Sequence, residues 1–122
     1  MEMFAVFFGG GIGASLRYLL SFWGKKSFGM THWATFVINI LGCLFLGFCA
    51  TIFAKTGGEF LNLKLFLTTG IAGGFTTFST FSLENINLIK EEKFKESFSY
   101  MFFSLLIGLL GIYLGYLLAS II

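Results

Sequence analysis

Glycine and hydroxyl residues crowd into one short stretch of an otherwise apolar chain. From Gly70 to Ser82 the sequence reads Gly-Ile-Ala-Gly-Gly-Phe-Thr-Thr-Phe-Ser-Thr-Phe-Ser, with leucine, isoleucine and phenylalanine on both sides. Adjacent glycines followed by β-branched hydroxyl residues favour a helix break, which membrane depth tolerates only where protein or a cavity satisfies the backbone. The freed carbonyl oxygens can coordinate a cation, and the N-terminus of the half-helix that follows favours an anion.

Two phenylalanines follow the expected break on one face of that half-helix. Phe78 and Phe81 are three residues apart, beside the hydroxyls of Ser79 and Thr80. The edges of aromatic rings carry positive potential, so these rings can share the coordination of an anion with hydroxyl and amide donors. Packing against lipid or core is the alternative, because the chain contains 18 phenylalanines.

Further polar side chains occur in the apolar runs on either side of this stretch. Thr35 and Asn39 are four residues apart, as are Tyr100 and Ser104, so each pair lies on one helical face. An unpaired amide in hydrocarbon costs several kcal/mol, so Asn39 serves either as a link between helices or as a hydrogen-bond donor that lines a pore. Together with the hydroxyls of the broken stretch, these side chains suggest a polar track.

Arg17 and Glu84 are the charged residues that lie well inside apolar runs. A charge at the bilayer centre costs about 2.5 to 3.5 kcal/mol even on a lenient scale, so each needs a reason. Arg17 is near the end of its run, where its long side chain can snorkel to the interface. Alternatively, Arg17 shares a face with Gly9 and Gly13 and lines a wet vestibule that attracts anions.

These side chains must be positioned by helices in a membrane. The chain is 122 residues long, 57% hydrophobic and 11% charged, whereas soluble domains carry about 25% charged residues. A bilayer core of about 30 Å needs roughly 20 apolar residues per helix. We therefore predict an all-α membrane protein, a single transmembrane domain over residues 1–122 with helices near 3–23, 33–54, 63–89 (broken in mid-membrane near 73–77) and 98–122.

Two classes of function are excluded by what the sequence lacks. The basic residues are scattered singly or in pairs, which gives no stripe able to follow a nucleic-acid backbone. His32 stands alone, and Cys43 and Cys49 form no metal-ligand pattern. Without a cluster of histidine, cysteine or carboxylate residues, we predict no enzymatic activity.

The lysines at the ends of the predicted helices give a modest orientation bias. Five flank one side of the membrane and two the other, namely Lys25, Lys26, Lys90, Lys93 and Lys95 against Lys55 and Lys64. By the positive-inside rule, this bias favours a cytoplasmic location for the first and third connections.

The segment from Gly73 to Ser82, preceded by Thr69-Gly70 and followed by Glu84, resembles the signature of the Fluc-type (CrcB) fluoride channel family. The resemblance covers nearly the whole chain. It includes an early glycine-rich helix with Gly9-Gly-Gly-Ile-Gly-Ala-Ser-Leu-Arg17, and a second helix with Asn39-x-x-Gly42.

The resemblance implies a passive, fluoride-selective channel in a bacterial inner membrane, which lowers intracellular fluoride and its toxicity. It further implies an antiparallel, dual-topology dimer with two fluoride pathways and a central structural Na⁺. Backbone carbonyls of Gly73 and Thr76 from both subunits would hold the Na⁺.

The same resemblance assigns roles to the polar and aromatic residues. Phe78 and Phe81 line the fluoride path, Asn39 is a pore donor and Arg17 belongs to the vestibule. The positions of the family's polar track and central support are matched by Thr35, Ser79, Thr80, Glu84, Tyr100 and Ser104.

Three alternatives follow from the residues. The lysine bias allows the subunit to pair with an oppositely oriented homologue rather than with itself. A small multidrug or cation/proton antiporter needs a carboxylate in its membrane-embedded pocket, and Glu84, beyond the break, is the candidate here. A scaffold protein would explain the small-residue packing but not the hydroxyl-rich break.

Overall fold

The computed structural model describes residues 1–29 and 31–122, and within these ranges the chain contains helices and no strand. The helices are α1 (Glu2–Phe28), α2 (Thr31–Ala54), α3 (Leu61–Leu65), α4 (Gly73–Phe75), α5 (Phe78–Lys90) and α6 (Phe94–Ile121), with a π-helix (Phe66–Ala72) between α3 and α4. The prediction of an all-helical protein is confirmed.

Within the described residues, three helices are long and apolar enough to cross a membrane, namely Glu2–Phe28, His32–Ala54 and Phe94–Ile121. Large apolar side chains are exposed along all three, as lipid-facing surfaces require. The chain is therefore an integral membrane protein. The remaining helical segments, 61–75 and α5, follow each other as two halves of a broken helix.

The break in this helix is confirmed, and it falls at two threonines. Thr76 (φ −79°, ψ 156°) and Thr77 (φ −150°, ψ 118°) both have extended backbone. The seven-residue π-helix is followed by the single turn of α4, and the break comes directly after that turn. Wide π turns are rare and frequently occur at functional sites.

Glycines bring α1 against the first half of the broken helix. An added Cβ at Gly9 or Gly74 would collide with a backbone carbonyl oxygen, of Phe66 and Gly10 respectively. The backbones approach this closely because neither glycine carries a side chain, which is the usual function of small residues between membrane helices.

Glycines on α6 and α2 produce a second close approach. A Cβ at Gly47 would meet the Ile112 carbonyl oxygen, and one at Gly115 would meet that of Leu44. Beyond this contact, Lys55 Nζ donates a hydrogen bond of 2.8 Å to the Ala119 carbonyl in the last turn of α6. The positively charged ammonium group of Lys55 is stabilised there by the negative, C-terminal end of the α6 dipole. Helix α2 thus packs against α6, and it also contacts both halves of the broken helix.

Candidate functional site

Asn39 of α2 pairs with the backbone at the break through both polar atoms of its side chain. Its Nδ2 donates to the Thr77 carbonyl at 3.1 Å, and its Oδ1 accepts from the Thr77 N–H at 2.8 Å. In a continuous helix that N–H would donate to the Gly73 carbonyl, four residues earlier. The Asn39 amide therefore holds the helix open and leaves the Gly73 carbonyl without its helical donor.

Other carbonyls at the break also lose their helical donors. The Thr80 N–H, which would serve Thr76, donates instead to Thr77 Oγ1 at 3.2 Å. The Gly74 carbonyl accepts a hydrogen bond of 3.1 Å from Arg17 Nε of α1. Arg17 thus brings a positive charge to the break, and the carbonyls of Gly73 and Thr76 stay available.

The second half of the broken helix begins with a hydroxyl cap. Thr77 Oγ1 lies 3.0 Å from Thr80 Oγ1, to which it donates, and 3.3 Å from Ser79 Oγ. The first N–H groups of a helix have no intrahelical acceptor and carry the positive end of the helix dipole. The start of α5 therefore presents hydroxyls beside a partial positive charge.

The two phenylalanines of the signature have different surroundings. Phe78 is 79% exposed, whereas Phe81 is half-buried. Their ring centroids are 5.7 Å apart. The Phe81 ring also meets Tyr100 in an edge contact, with centroids 4.9 Å apart and an interplanar angle of 66°. The rings of Phe78 and Phe81 therefore form a continuous aromatic contact from the exposed surface of the subunit to Tyr100 of α6.

Glu84 accepts a hydroxyl hydrogen bond at each carboxyl oxygen. Thr35 Oγ1 donates to Oε1 and Tyr100 OH donates to Oε2, both at 2.8 Å. Thr35 and Tyr100 are buried, so this cluster joins α2, α5 and α6 by polar contacts inside the bundle. It meets the break through Phe81, whose ring packs on Tyr100.

A cavity of about 470 Å³ lies between α2, α6 and the break. Its walls combine polar and aromatic residues with apolar ones, namely Asn39, Cys43, Thr76, Thr77, Phe78, Phe81, Met101, Ser104 and Leu105. The Ser104 hydroxyl is buried here and has no hydrogen-bond partner in the described part of the chain. A buried hydroxyl without a partner is costly, so the Ser104 position calls for a polar partner beyond the described residues of this subunit.

The structure thus divides the predicted site residues among four neighbouring places. Asn39, Phe78, Phe81, Thr76 and Ser104 line the cavity. The cluster around Glu84 contains Thr35 and Tyr100, and Ser79 and Thr80 surround the cap of α5. Arg17 and Gly73 lie at the break but not in the cavity wall.

A buried polar pair, Asn85 and Ser97, was not among the predicted site residues. Ser97 Oγ donates to Asn85 Oδ1 at 2.9 Å. The only sequence signal was an asparagine directly after Glu84 in an otherwise amphipathic helix. Cys43, which was also not among the predicted site residues, lines the cavity.

A cation at the break would have to rely on backbone and hydroxyl oxygens. No group of three histidine, cysteine or carboxylate residues that could hold a metal ion occurs within residues 1–29 and 31–122. Carbonyl oxygens are suitable ligands for hard cations, and the break releases them at Gly73 and Thr76.

Comparison with known proteins places these features in a family context. The profile of the family described as CrcB-like protein, Camphor Resistance (CrcB), matches residues 4–116. A fluoride-specific ion channel FluC of Phocaeicola vulgatus is 41% identical over 116 residues, which cover 93% of this chain and 94% of the relative. Proteins of the same name in Flavobacterium psychrophilum (40% identity; 97% and 96% covered) and Clostridium perfringens (42%; 93% and 90%) are equally similar.

Proposed function

This chain belongs to the CrcB family, and from that premise we propose that it is a fluoride-selective channel that passively releases fluoride from the bacterial cytoplasm across the inner membrane. The relatives are named ion channels, so the function is transport and not catalysis. Lowering cytoplasmic fluoride would reduce its toxicity.

The observation that carries this proposal is the donor set around the cavity at the break. Fluoride is small and strongly hydrated, so a pathway must replace its water with hydrogen-bond donors. Asn39 and Ser104 both line the cavity. The Asn39 amide has a second N–H besides the one bonded to Thr77, and the Ser104 hydroxyl, buried behind the cavity surface, would become a donor to an ion after it rotates towards the cavity. The ring edges of Phe78 and Phe81 add positive potential without a fixed charge.

The remaining pathway residues extend this donor set on both sides. Ser79 and Thr80 provide hydroxyls at the positive end of α5, and Thr35 and Tyr100 continue the polar track towards Glu84. Glu84 acts as their support. Both of its oxygens accept hydroxyl hydrogen bonds, which disfavours its use as the proton-exchanging carboxylate of an antiporter.

Arg17 supplies positive charge near the entrance of the pathway. Its Nε is anchored on the Gly74 carbonyl, while a guanidinium has further N–H groups that stay available. A cationic vestibule raises the local anion concentration.

A second, antiparallel copy of the chain would complete the site, giving a dual-topology homodimer in the lipid bilayer with two pathways. Gly73 and Phe78 are exposed on the subunit surface at the break, where lipid is a poor neighbour for carbonyl oxygens. Two copies related by an axis in the membrane plane would double the carbonyls of Gly73 and Thr76.

This doubled carbonyl set fits a structural Na⁺ at the dimer interface. The carbonyls of Gly73 and Thr76 have lost their helical donors, and carbonyl rings hold alkali cations in other channels. When bound, the Na⁺ would supply a fixed positive charge beside the anion pathways.

Fluoride efflux from liposomes tests the proposed function. Purified protein is reconstituted, and efflux is followed with a fluoride electrode and compared with chloride efflux. We expect rapid fluoride efflux and negligible chloride efflux, reduced fluoride flux in Phe78→Ile and Asn39→Asp, and wild-type flux in the control Phe4→Ile, at another exposed phenylalanine. Chloride efflux as fast as fluoride efflux would refute selectivity.

The dimer and the Na⁺ are tested separately. Chemical crosslinking in liposomes should trap two copies, and exchange of Na⁺ on both sides for a large organic cation should weaken the dimer and slow fluoride efflux. Unchanged flux and dimer stability after prolonged exchange would contradict a structural Na⁺ at Gly73 and Thr76.

A further inference from the structure

We infer that Asn85 and Ser97 are positioning residues of the anion pathway, which hold Phe81 and Tyr100 in register through a buried hydrogen-bonded pair. Asn85 is 4% exposed and Ser97 is 1% exposed. The Ser97 hydroxyl donates to Asn85 Oδ1 at 2.9 Å, and Asn85 Nδ2 donates to the Phe81 carbonyl at 2.9 Å. This inference rests on the proposed function.

The pair closes a circuit of contacts between α5 and α6. Ser97 and Tyr100 are three residues apart on α6 and share a face. The Phe81 ring meets Tyr100 with centroids 4.9 Å apart, and the Phe81 carbonyl accepts from Asn85. A slide of α6 along α5 would therefore break the Ser97 hydrogen bond and move the Tyr100 ring away from Phe81 at the same time.

The break makes this connection necessary. Because α5 is separated from the first half of its helix at Thr76 and Thr77, no continuous helix fixes the position of Phe81. Asn39 holds the start of α5 through the Thr77 backbone, and the Asn85 pair acts two turns further along. Apolar side chains could fill the same space, but they would not select one register, because hydrophobic contact is non-directional.

The experiment must distinguish the effect of the hydrogen bond between Asn85 and Ser97 from the effect of their packing. Removing one partner leaves a buried polar group unsatisfied, whereas replacing both with apolar groups of similar shape is nearly neutral for stability. We therefore compare Ser97→Ala, Asn85→Leu and the double variant, with Ser120→Ala as the control. Ser120 is exposed and its hydroxyl bonds locally to the Tyr116 carbonyl.

We expect Ser97→Ala and Asn85→Leu each to lower the melting temperature, because each leaves a buried polar group without its partner. We also expect each to lower the fluoride efflux rate about tenfold, which corresponds to a transport barrier raised by the energy of one buried hydrogen bond. In the double variant we expect the melting temperature to return towards the wild-type value while efflux stays about tenfold low. Ser120→Ala should match the wild type in both.

Recovery of efflux together with stability in the double variant would overturn the inference, since the pair would then be merely structural. So would wild-type efflux in a folded Ser97→Ala, the mildest change, which keeps the test decisive if the double variant does not fold. Absence of fluoride efflux in the wild type would instead refute the proposed function.

Discussion

Replacing Gly13 with alanine tests the close packing that positions the break. The new Cβ would lie 2.8 Å from the Phe75 nitrogen and 3.0 Å from the Ile71 carbonyl carbon, and it would collide with the Ile71 carbonyl oxygen. Since non-bonded heavy atoms prefer about 3.5–4.0 Å, α1 must retreat by about 1 Å. The atoms in the way belong to backbone, so no side-chain rotation relieves the contact.

The retreat of α1 also reaches the break. Arg17 follows Gly13 by one helical turn, and its Nε lies 3.1 Å from the Gly74 oxygen. A shift of about 1 Å would stretch this hydrogen bond to about 4 Å, beyond the range of a hydrogen bond. The Gly74 carbonyl would then lose its donor.

The expected cost combines three contributions. Overpacking typically costs about 1–3 kcal/mol, and loss of a hydrogen bond to a charged group about 1.5–3 kcal/mol. The better helix propensity of alanine returns about 1 kcal/mol. We therefore expect Gly13→Ala to lower the free energy of unfolding by about 1.5–5 kcal/mol and to reduce fluoride efflux.

Gly11→Ala is the matched control, because no atom of another helix in the described part of the chain lies within 4 Å of a Cβ added there. The same change in the same helix should be neutral or stabilising by up to about 1 kcal/mol. Unfolding is measured by titration with a denaturing detergent in mixed micelles, and efflux in liposomes. If Gly13→Ala is as stable and as active as Gly11→Ala, the proposed close packing is wrong.

Three further predictions concern hydrogen bonds of the bundle. Asn39→Leu leaves the Thr77 N–H and carbonyl without these partners, so we expect the free energy of unfolding to fall by about 2–6 kcal/mol, while an unchanged detergent titration would contradict the pairing. Glu84→Gln replaces one hydroxyl-accepting oxygen with an amide nitrogen; efflux measured with a fluoride electrode should fall by about tenfold, and wild-type flux would exclude a role for the carboxylate. Lys55→Met removes the hydrogen bond to the Ala119 carbonyl and should cost less than about 1 kcal/mol, so a larger loss in the same titration would indicate a further function of Lys55.

The position of the break was predictable because the residues that weaken the helix there are local. Adjacent glycines followed by Thr76 and Thr77 make a continuous helix less favourable at this point, although the contacts that hold the break open come from α1 and α2. The all-helical class was equally accessible, since it follows from apolar content and the need to satisfy every backbone group in lipid. The π-helix at Phe66–Ala72 has no comparable signal in its own residues, because its wide turns form where the chain packs against the glycines of α1.

The partners of the buried polar groups were not predictable, since they come from distant parts of the chain. Asn39 was open to two interpretations, and its actual contact is a backbone group 38 residues away. The two expectations for Arg17 were snorkelling and a vestibule, and neither identified its hydrogen-bond partner Gly74, which is 57 residues away. Periodicity reveals which face of a helix a residue occupies, but it does not identify the neighbour of that face.

The break itself has a consequence for anyone who would move this segment into another protein. It is held open from outside, by Arg17 of α1 at Gly74 and by Asn39 of α2 at Thr77. An isolated peptide of residues 61–90 in a bilayer has neither partner, so the Thr77 N–H would return to the Gly73 carbonyl to avoid an unpaired group in lipid. The signature is therefore not a portable module, and the shape of its break belongs to the assembled bundle.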